Sequence, residues 1–519
     1  MASTFLGLTI AYSGLQAANT SLTITGHNVS NINTKGYTKQ QAGTQAADAL
    51  RTHTTYGAIG SGVVVTEISQ IRDSYYDVKY RNNMANYGQY SVKESYMGQI
   101  EDYLDEFTLN GYSQEYKNFF SAVNQLTITP GDTSAKNQLI NNAKSLADYF
   151  NTLTTNLRNV QADANNEIKD AVQQINSYAK NIAALNRQIN QIEANYGNAN
   201  DLRDKRNAMI DELSEIVNLE TSEEDMGNNV SNFSVRINGQ TLVSSYSYNT
   251  LETVARTDKK NYSDAEGLYD VQWNSGQKFD MYSTSLSGHL KGLIDIRDGN
   301  NGEHENIETD DDGNNVTDSD GNLVLTTAPA ADKTVSYKGV PYYQAQLNEF
   351  AKIFSDAVNK IMKSGYTSDG SSKGISLFVT QPNTTVMSAG NITVNPELLK
   401  NADLLAIKKE QNDGESDAKI MEELNKLQSE KIFAGGTGSY FLESIVSDMS
   451  IDSQKAVNLY KNYTDLKTSI HNQRLSIMGV DTDEEAMDMI KYQQAYNLNS
   501  KMMSVMNQIY DKLINQTGI

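Results

Sequence analysis

Both ends of this 519-residue chain carry the same apolar rhythm. At the amino end, Leu8, Ala11, Leu15, Ala18, Leu22, Thr25, Val29 and Ile32 recur at alternating steps of three and four, which places them on one face of an α-helix. At the carboxyl end, Met489, Tyr492, Tyr496, Asn499, Met503, Met506, Tyr510 and Leu513 repeat the pattern, and Leu498, Met502, Val505 and Ile509 widen the stripe to one side. A helix with one apolar face must bury it against something. The economical solution is that the two ends pack on each other, with the rest of the chain looped out between them. Two helices docked separately on a globular core is the alternative. The remaining faces of the first helix carry Ser, Thr, Asn and Gln with hardly a charge, a surface suited to close contact with other proteins.

The interior of the chain is mostly helical in pattern. A long apolar repeat runs from about 134 to 195, shifts by one residue at Ile168, and predicts a rod-like helix or a helical hairpin. Further helices are expected over about 201–217, 344–363 and 445–475. Between them, residues 218–290 hold short β-like runs (FSVRING, QTLVSS, YDVQW, KFDMYS), and Asn238-Gly239 is a hairpin signal. Residues 300–340 are acidic and rich in Gly and Asn, with a second tight turn expected at Asp320-Gly321. The expected fold class is mainly α with an inserted β domain. Residues 1–36 with 478–519 would form a paired, coiled-coil-like terminal domain. Residues 37–217 with 341–477 would form a helical rod body, with 287–298 leading back toward it, and 218–340 a nested, solvent-facing β domain.

Composition excludes several functions. A formal charge of −21 repels nucleic acid and anionic membranes, which need a positive footprint. There is no Cys, so disulfides, thiolate metal sites and Cys nucleophiles are absent; a chain that must be threaded unfolded through a narrow channel has a physical reason to avoid them. No run of about 18 apolar residues offers a membrane span, and the first residues lack the basic and continuous apolar segments of a cleavable signal.

No motif for chemistry stands out. The five histidines, His27, His53, His289, His304 and His471, have no metal-pair spacing. DDDGNNVTDSDGN (310–322) fails as a calcium loop, because the sixth and twelfth positions are Asn315 and Gly321; it reads as a solvated acidic loop with two turns. Gly435-Gly436-Thr437-Gly438 lacks the following Lys of a phosphate loop. Trp273 is expected to pack within the β domain. Neither a cofactor, a metal nor a catalytic residue is expected.

The stretch NVSNINTKGYTKQ (28–40) ends the first helix in short amides. Asn28, Asn31 and Asn33 suit a helix end and Gly36 a turn, so the segment reads as a joint from which an extended arm starts at Tyr37. These residues also carry a resemblance. SGLQAANTSLTITGHNVSNINTKGYTKQ resembles the amino-terminal signature of the bacterial flagellar rod, hook and hook-associated proteins, and GYTKQ is closest to the hook-associated branch. DLRDKRNAMIDELS (201–214), SGHLKGLIDIRD (287–298), the stretch from Tyr342 to Phe378, and the terminal helix with Glu484-Glu485-Ala486 and Tyr492–Tyr496 are similar to the same branch.

The resemblance implies a structural, non-enzymatic subunit of the flagellum, located outside the cell and exported through the flagellar channel without a cleaved signal. It implies self-association in a ring or helical layer between hook and filament. The implied partners are the hook protein on one side, a second hook–filament junction protein on the other, and an export chaperone on the carboxyl-terminal helix before export. The alternatives are another axial flagellar protein, or an extracellular enzyme or adhesin active in 218–340. The terminal helices would be the assembly elements, largely disordered in the monomer and ordered when neighbours cover their stripes.

Overall fold

The computed structural model describes residues 6–51, 58–109, 112–331, 333–414 and 416–516. In chain order the helices are α1 (Leu6–Ser30), α2 (Ser74–Leu109), α3 (Tyr112–Ile128), α4 (Thr133–Glu193), α5 (Asn200–Ile216), α6 (His289–Asp298), α7 (Val340–Ser364), α8 (Pro396–Lys400), α9 (Lys419–Lys426), α10 (Gly438–Met478) and α11 (Thr482–Asp511). The strands are β1 (Gln40–Ala46), β2 (Leu50–Arg51), β3 (Ala58–Ile59), β4 (Val63–Gln70), β5 (Glu220–Asp225), β6 (Ser231–Ile237), β7 (Gln240–Ser244), β8 (Ser247–Tyr248), β9 (Leu251–Ala255), β10 (Tyr269–Trp273), β11 (Glu303–Ile307), β12 (Leu325–Pro329), β13 (Tyr366–Thr367), β14 (Phe378–Thr380), β15 (Ile392–Val394) and β16 (Ala406–Lys408). The repeat over 134–195 is one continuous helix, α4, of 61 residues. The chain divides into two compact units: residues 1–85, 175–250 and 464–519, and residues 86–174 and 251–463.

In the first unit α1 packs along α11, and the antiparallel β1–β4 ribbon lies on α1. Gly62, at φ +116°, lets the ribbon approach closely, and Val63 N–H donates to Ser13 Oγ. The strands β5-β6-β7-β8 form one antiparallel sheet. Asn238 and Gly239 both take positive φ at the β6–β7 turn, as the hairpin signal requires. This sheet packs on the carboxyl-terminal part of α4 and on α5. Asn186 donates to the carbonyls of Phe233 and Ser245, and the Arg206 guanidinium sits 3.8 Å over the Phe233 ring.

The second unit has an aromatic core. Phe350 on α7 stacks on Phe433 at 4.9 Å and lies 5.3 Å from Phe150 of α4, while Phe119 and Phe120 of α3 close the cluster against Phe354. Helix α6 is buried at every position from Leu290 to Asp298. It is only 10 residues long, so the spacing of Leu290, Leu293 and Ile294 is too short a run to mark it as a helix from the residues alone. Gly292 explains its fit: a Cβ there would stand 2.7 Å from the Gln89 carbonyl of α2. Its last turn carries a buried ion cluster. Arg297 and Arg256 both bind Asp298, at 2.6 and 2.8 Å, and together hold its carboxyl far below the usual range despite complete burial.

The 218–340 stretch, expected as one inserted domain, is shared between the units. Its four-stranded sheet belongs to the first, and the β9–β10 and β11–β12 hairpins to the second. The physical reason is that Phe233, Val235 and Val243 have a helical floor of their own to cover. Trp273 is buried against Phe279, as expected. In the 310–322 loop, Asp310 accepts from the backbone of Asp312 and Asn314, and Asp318 from that of Asp320 and Asn322, so these carboxylates close two successive turns.

Candidate assembly surface

The contact between α1 and α11 is antiparallel and keeps one register. A Cβ on Gly7 would meet Met506 and one on Gly14 would meet Asn499, while Asn28 reaches Glu485. Every seven residues forward on α1 correspond to seven back on α11. The α1 seam is therefore Gly7, Ala11, Gly14, Ala18, Ser21, Thr25 and Asn28, a file of small residues that lets the backbones approach. Of the eight residues that the spacing puts on one face, Ala11, Ala18 and Thr25 lie in this seam. Ala11 and Ala18 are buried in the seam, whereas Leu8, Leu15, Leu22 and Val29 flank it half-buried, and Ile32 is exposed.

On α11, Tyr492, Tyr496, Met503, Met506 and Tyr510 are half-buried. Met489 is exposed, and Leu513, exposed as well, falls in a π-turn beyond the helix. The residues that widen the stripe, Leu498, Met502, Val505 and Ile509, are 69%, 49%, 44% and 44% exposed. They form an apolar ridge that no described part of the chain covers. Glu485 is the one buried residue of α11.

At the joint one amide is fully used. Asn28 is 1% exposed. Its Oδ1 accepts from Tyr37 OH at 2.8 Å and from Gln40 N–H at 3.0 Å; its Nδ2 donates to the Gln40 carbonyl at 3.0 Å and to Glu485 Oε1 at 3.1 Å. All four capacities of the amide are filled. Asn31 caps the His27 carbonyl, Asn33 is exposed, and Gly36 turns the chain at φ +81°. Tyr37 is held as a donor, because burial and the nearby acids Asp201, Asp204 and Glu485 push its phenol pKa up. The paired strand begins at Gln40, and in the arm before it Thr38 and Lys39 bond elsewhere. Lys39 N–H donates to the Met478 carbonyl, and Lys39 Nζ binds Glu484 at 2.7 Å and Glu485 at 3.2 Å. Burial opposes the charge on Lys39, but those two acids outweigh it and raise its pKa.

Helix α5 supplies the other half of the joint, which residue spacing did not reveal. Asp201 accepts from Gln40, Asp204 takes both N–H and hydroxyl of Thr38, and Glu212 pairs with Lys35. A file of alternating charges continues from there. Asp204 lies 3.6 Å from Arg72, Arg72 grips Asp77, Asp77 and Asp211 share Arg474, and Asp211 also binds Arg81. Burial pushes the Asp204 carboxyl up, against the pull of Thr38 and Arg72. The signal that could have found it is the placement of Asp201, Asp204 and Asp211 on one face of that helix, which the apolar spacing alone does not pick out. Among the described residues, no group of three or more acids or histidines is placed to hold a metal, and no helix is long and apolar enough to cross a membrane.

A family profile described as the flagellar hook-associated protein FlgK helical domain matches residues 97–378. The chain belongs to the FlgK family. A second profile, flagellar basal body rod FlgEFG protein C-terminal, matches residues 471–516 of this FlgK-family chain, which include all of α11. It is 27% identical to flagellar hook-associated protein 1 of Bacillus subtilis, over 100% of this chain and 99% of that one. It is 28% identical to the protein of that name from Salmonella typhimurium, over 97% and 98% of the two chains. Its fold is similar to the flagellar hook junction protein FlgK of Burkholderia pseudomallei, with TM-score 0.58, 15% identity, and coverage of 77% of this chain and 100% of that one.

Proposed function

We infer that this protein is a structural component of the bacterial flagellum that joins hook to filament, polymerising through its terminal helices. The observation that carries the assembly mode is the ridge Leu498, Met502, Val505 and Ile509 on α11, exposed beside a seam that α1 already fills. Burying a large apolar side chain returns about 1.5–3 kcal/mol, so a ridge of this kind favours a partner. The intended cover is the terminal pair of a neighbouring copy, with Met489 and Leu513 added at its ends. Residues 1–36 with 478–519 act as the assembly domain.

The hook protein lies on one side and a second junction protein on the other. Before export a chaperone covers the carboxyl-terminal helix, whose apolar ridge would otherwise aggregate. The chain leaves the cell unfolded through the flagellar channel; the absence of Cys supports this, since no disulfide can form to block threading. The role is mechanical and involves no catalytic step.

The test is co-sedimentation of the purified protein with isolated hooks, beside a form lacking residues 1–32 and 486–519. The full chain pellets with hooks and the trimmed one stays in solution. Failure of both to pellet, with both folded, overturns the assembly mode.

A further inference from the structure

In the second unit, α2 and α10 meet through four tyrosines. Tyr87 and Tyr460 have ring centroids 5.5 Å apart, with their planes at 31°, and Tyr90 and Tyr463 stack at 5.4 Å and 18°. All four side chains are half-buried. On each helix the two tyrosines stand three positions apart, so they share a face. Two rings of α2 therefore lie on two of α10, within the separation that aromatic pairs prefer.

Packing holds these rings in place. The Lys93 ammonium lies 5.2 Å from the Tyr90 ring centroid and is itself fixed by Asp295 of α6, at 2.6 Å. Burial raises the Tyr90 phenol pKa, and the nearby Tyr463 phenol and Asp295 add to it, so the two phenols interact beyond the contact of their rings. Tyr75–Tyr76 and Tyr342–Tyr343 are different. They are chain neighbours that meet edge-on, at 85° and 88°, and join nothing distant.

Two phenols in contact can be joined by oxidation, as two thiols can. The chain has no Cys, so no disulfide can tie its elements together, but it has 30 Tyr. One-electron oxidation turns a phenol into a phenoxyl radical that shares its unpaired electron with the ortho carbons. Two such radicals held side by side couple without waiting for an encounter, because a positioned pair reacts as if at very high concentration. Partial exposure lets a small oxidant reach the rings and lets water carry off the protons.

We propose that Tyr87 with Tyr460, and Tyr90 with Tyr463, are sites of oxidative dityrosine cross-linking that staple α2 to α10 within one chain. The oxidant is a peroxide acting through a haem or other one-electron catalyst. Each phenol gives up one electron and its hydroxyl proton. One carbon–carbon bond then forms between two ortho carbons, and the hydrogens on those carbons move to the ring oxygens to restore the phenols. Two tyrosines and one hydrogen peroxide thus give one dityrosine and two waters. The rings must slide from stacked contact to edge-to-edge bonding, which half-exposed side chains can do. Tyr87 and Tyr460 are remote in sequence, so the bond closes a long loop, the kind of cross-link that most restricts an unfolded chain.

The test is mild oxidation of dilute full-length protein with a haem peptide and hydrogen peroxide, read by dityrosine fluorescence and by peptide mass. The expected product runs as a single chain on a denaturing gel. It yields Tyr87–Tyr460 or Tyr90–Tyr463 peptide pairs two hydrogens lighter than the sum of their parts. Tyr460→Phe combined with Tyr463→Phe keeps both rings and removes the reacting hydroxyls, and should lower dityrosine at least about fivefold. Oxidation of the wild type in urea should lose the same peptide pairs, because the fold alone brings them together. If the double variant does not fold, the peptide map of the wild type, folded against unfolded, decides by itself. No dityrosine, cross-links that map elsewhere or only between chains, a yield unchanged by the variant, or the same pairs formed equally in urea overturns the proposal.

Discussion

Asn28 and Glu485, 457 positions apart in sequence, share a buried hydrogen bond of 3.1 Å. Asn28 uses the rest of its amide to fix Tyr37 and Gln40, so one side chain ties the end of α1, the start of the β1 arm and the first turn of α11 together. Replacing Asn28 by Ala leaves two Gln40 backbone groups unpaired and removes one bond each from the Glu485 carboxylate, which keeps Lys39, and the Tyr37 hydroxyl, which keeps His27. Asn28→Ala is expected to cost about 2–4 kcal/mol, since each unsatisfied buried group costs about 1–3 kcal/mol and water recovers part of it. Urea unfolding read from the first unit checks this; a change below half a kcal/mol refutes it.

The glycines of α1 are not equivalent. Around Gly26 a Cβ meets nothing within 4 Å, so Gly26→Ala should stabilise the protein by about 0.5–1 kcal/mol through helix propensity. At Gly14 the Cβ would stand 2.7 Å from Asn499 Oδ1, and that amide is anchored to the Ala495 carbonyl. Gly14→Ala should therefore destabilise despite the better propensity. Gly7→Ala should fall between, because the obstructing Met506 methyl can swing aside. Melting temperatures of the three variants, in the order Gly26→Ala, Gly7→Ala, Gly14→Ala from highest to lowest, are the readout.

Exposed ridge and buried seam predict opposite phenotypes. Val505→Asp changes a residue that touches little in the monomer, so its melting temperature should stay within about 1–2 °C of wild type, as surface changes usually shift stability by under 0.5 kcal/mol. Co-sedimentation with hooks should nevertheless be lost. If Val505→Asp assembles like wild type, the ridge is not the contact.

Amide exchange in the isolated protein should be uneven. Helix α1 is covered by both α11 and the β1–β4 ribbon, whereas α11 is covered on one side and buries only Glu485. Local opening follows buried contact. Amides beyond about Asn497 are expected to exchange fastest among the long helices of the first unit, and to gain protection on assembly. Equal protection of α1 and α11 in the monomer would contradict this.

Asp356 on α7 has its pKa pushed up to about 6, by burial first and then by Asp318 and Asp320. Ionisation in the folded state is therefore unfavourable. Well below the ordinary carboxyl value of 3.8 the group is neutral folded or unfolded and has no effect. As pH rises from there through about 6, the wild type loses stability that Asp356→Asn keeps, and above that the difference is constant. The variant should melt like wild type at about pH 3 and above it at about pH 8; the gain is modest, because water screens a partly exposed carboxylate.

Much of this was legible in the residues. The three-and-four spacing marked α1, α4, α7, α10 and α11, since a helix period is a local property, and Asn238-Gly239 marked its hairpin because few residues accept two successive positive φ values. Period says which residues share a face, but not how near the partner backbone comes. That depended on Gly7 and Gly14 meeting Met506 and Asn499 across the fold, which set the seam on the small residues and left Leu498, Met502, Val505 and Ile509 outside. Tertiary structure alone also decided the charge file from Asp204 to Arg81 and the burial of α6. Both join groups distant in sequence, whose favourable geometry exists only once the intervening chain has folded.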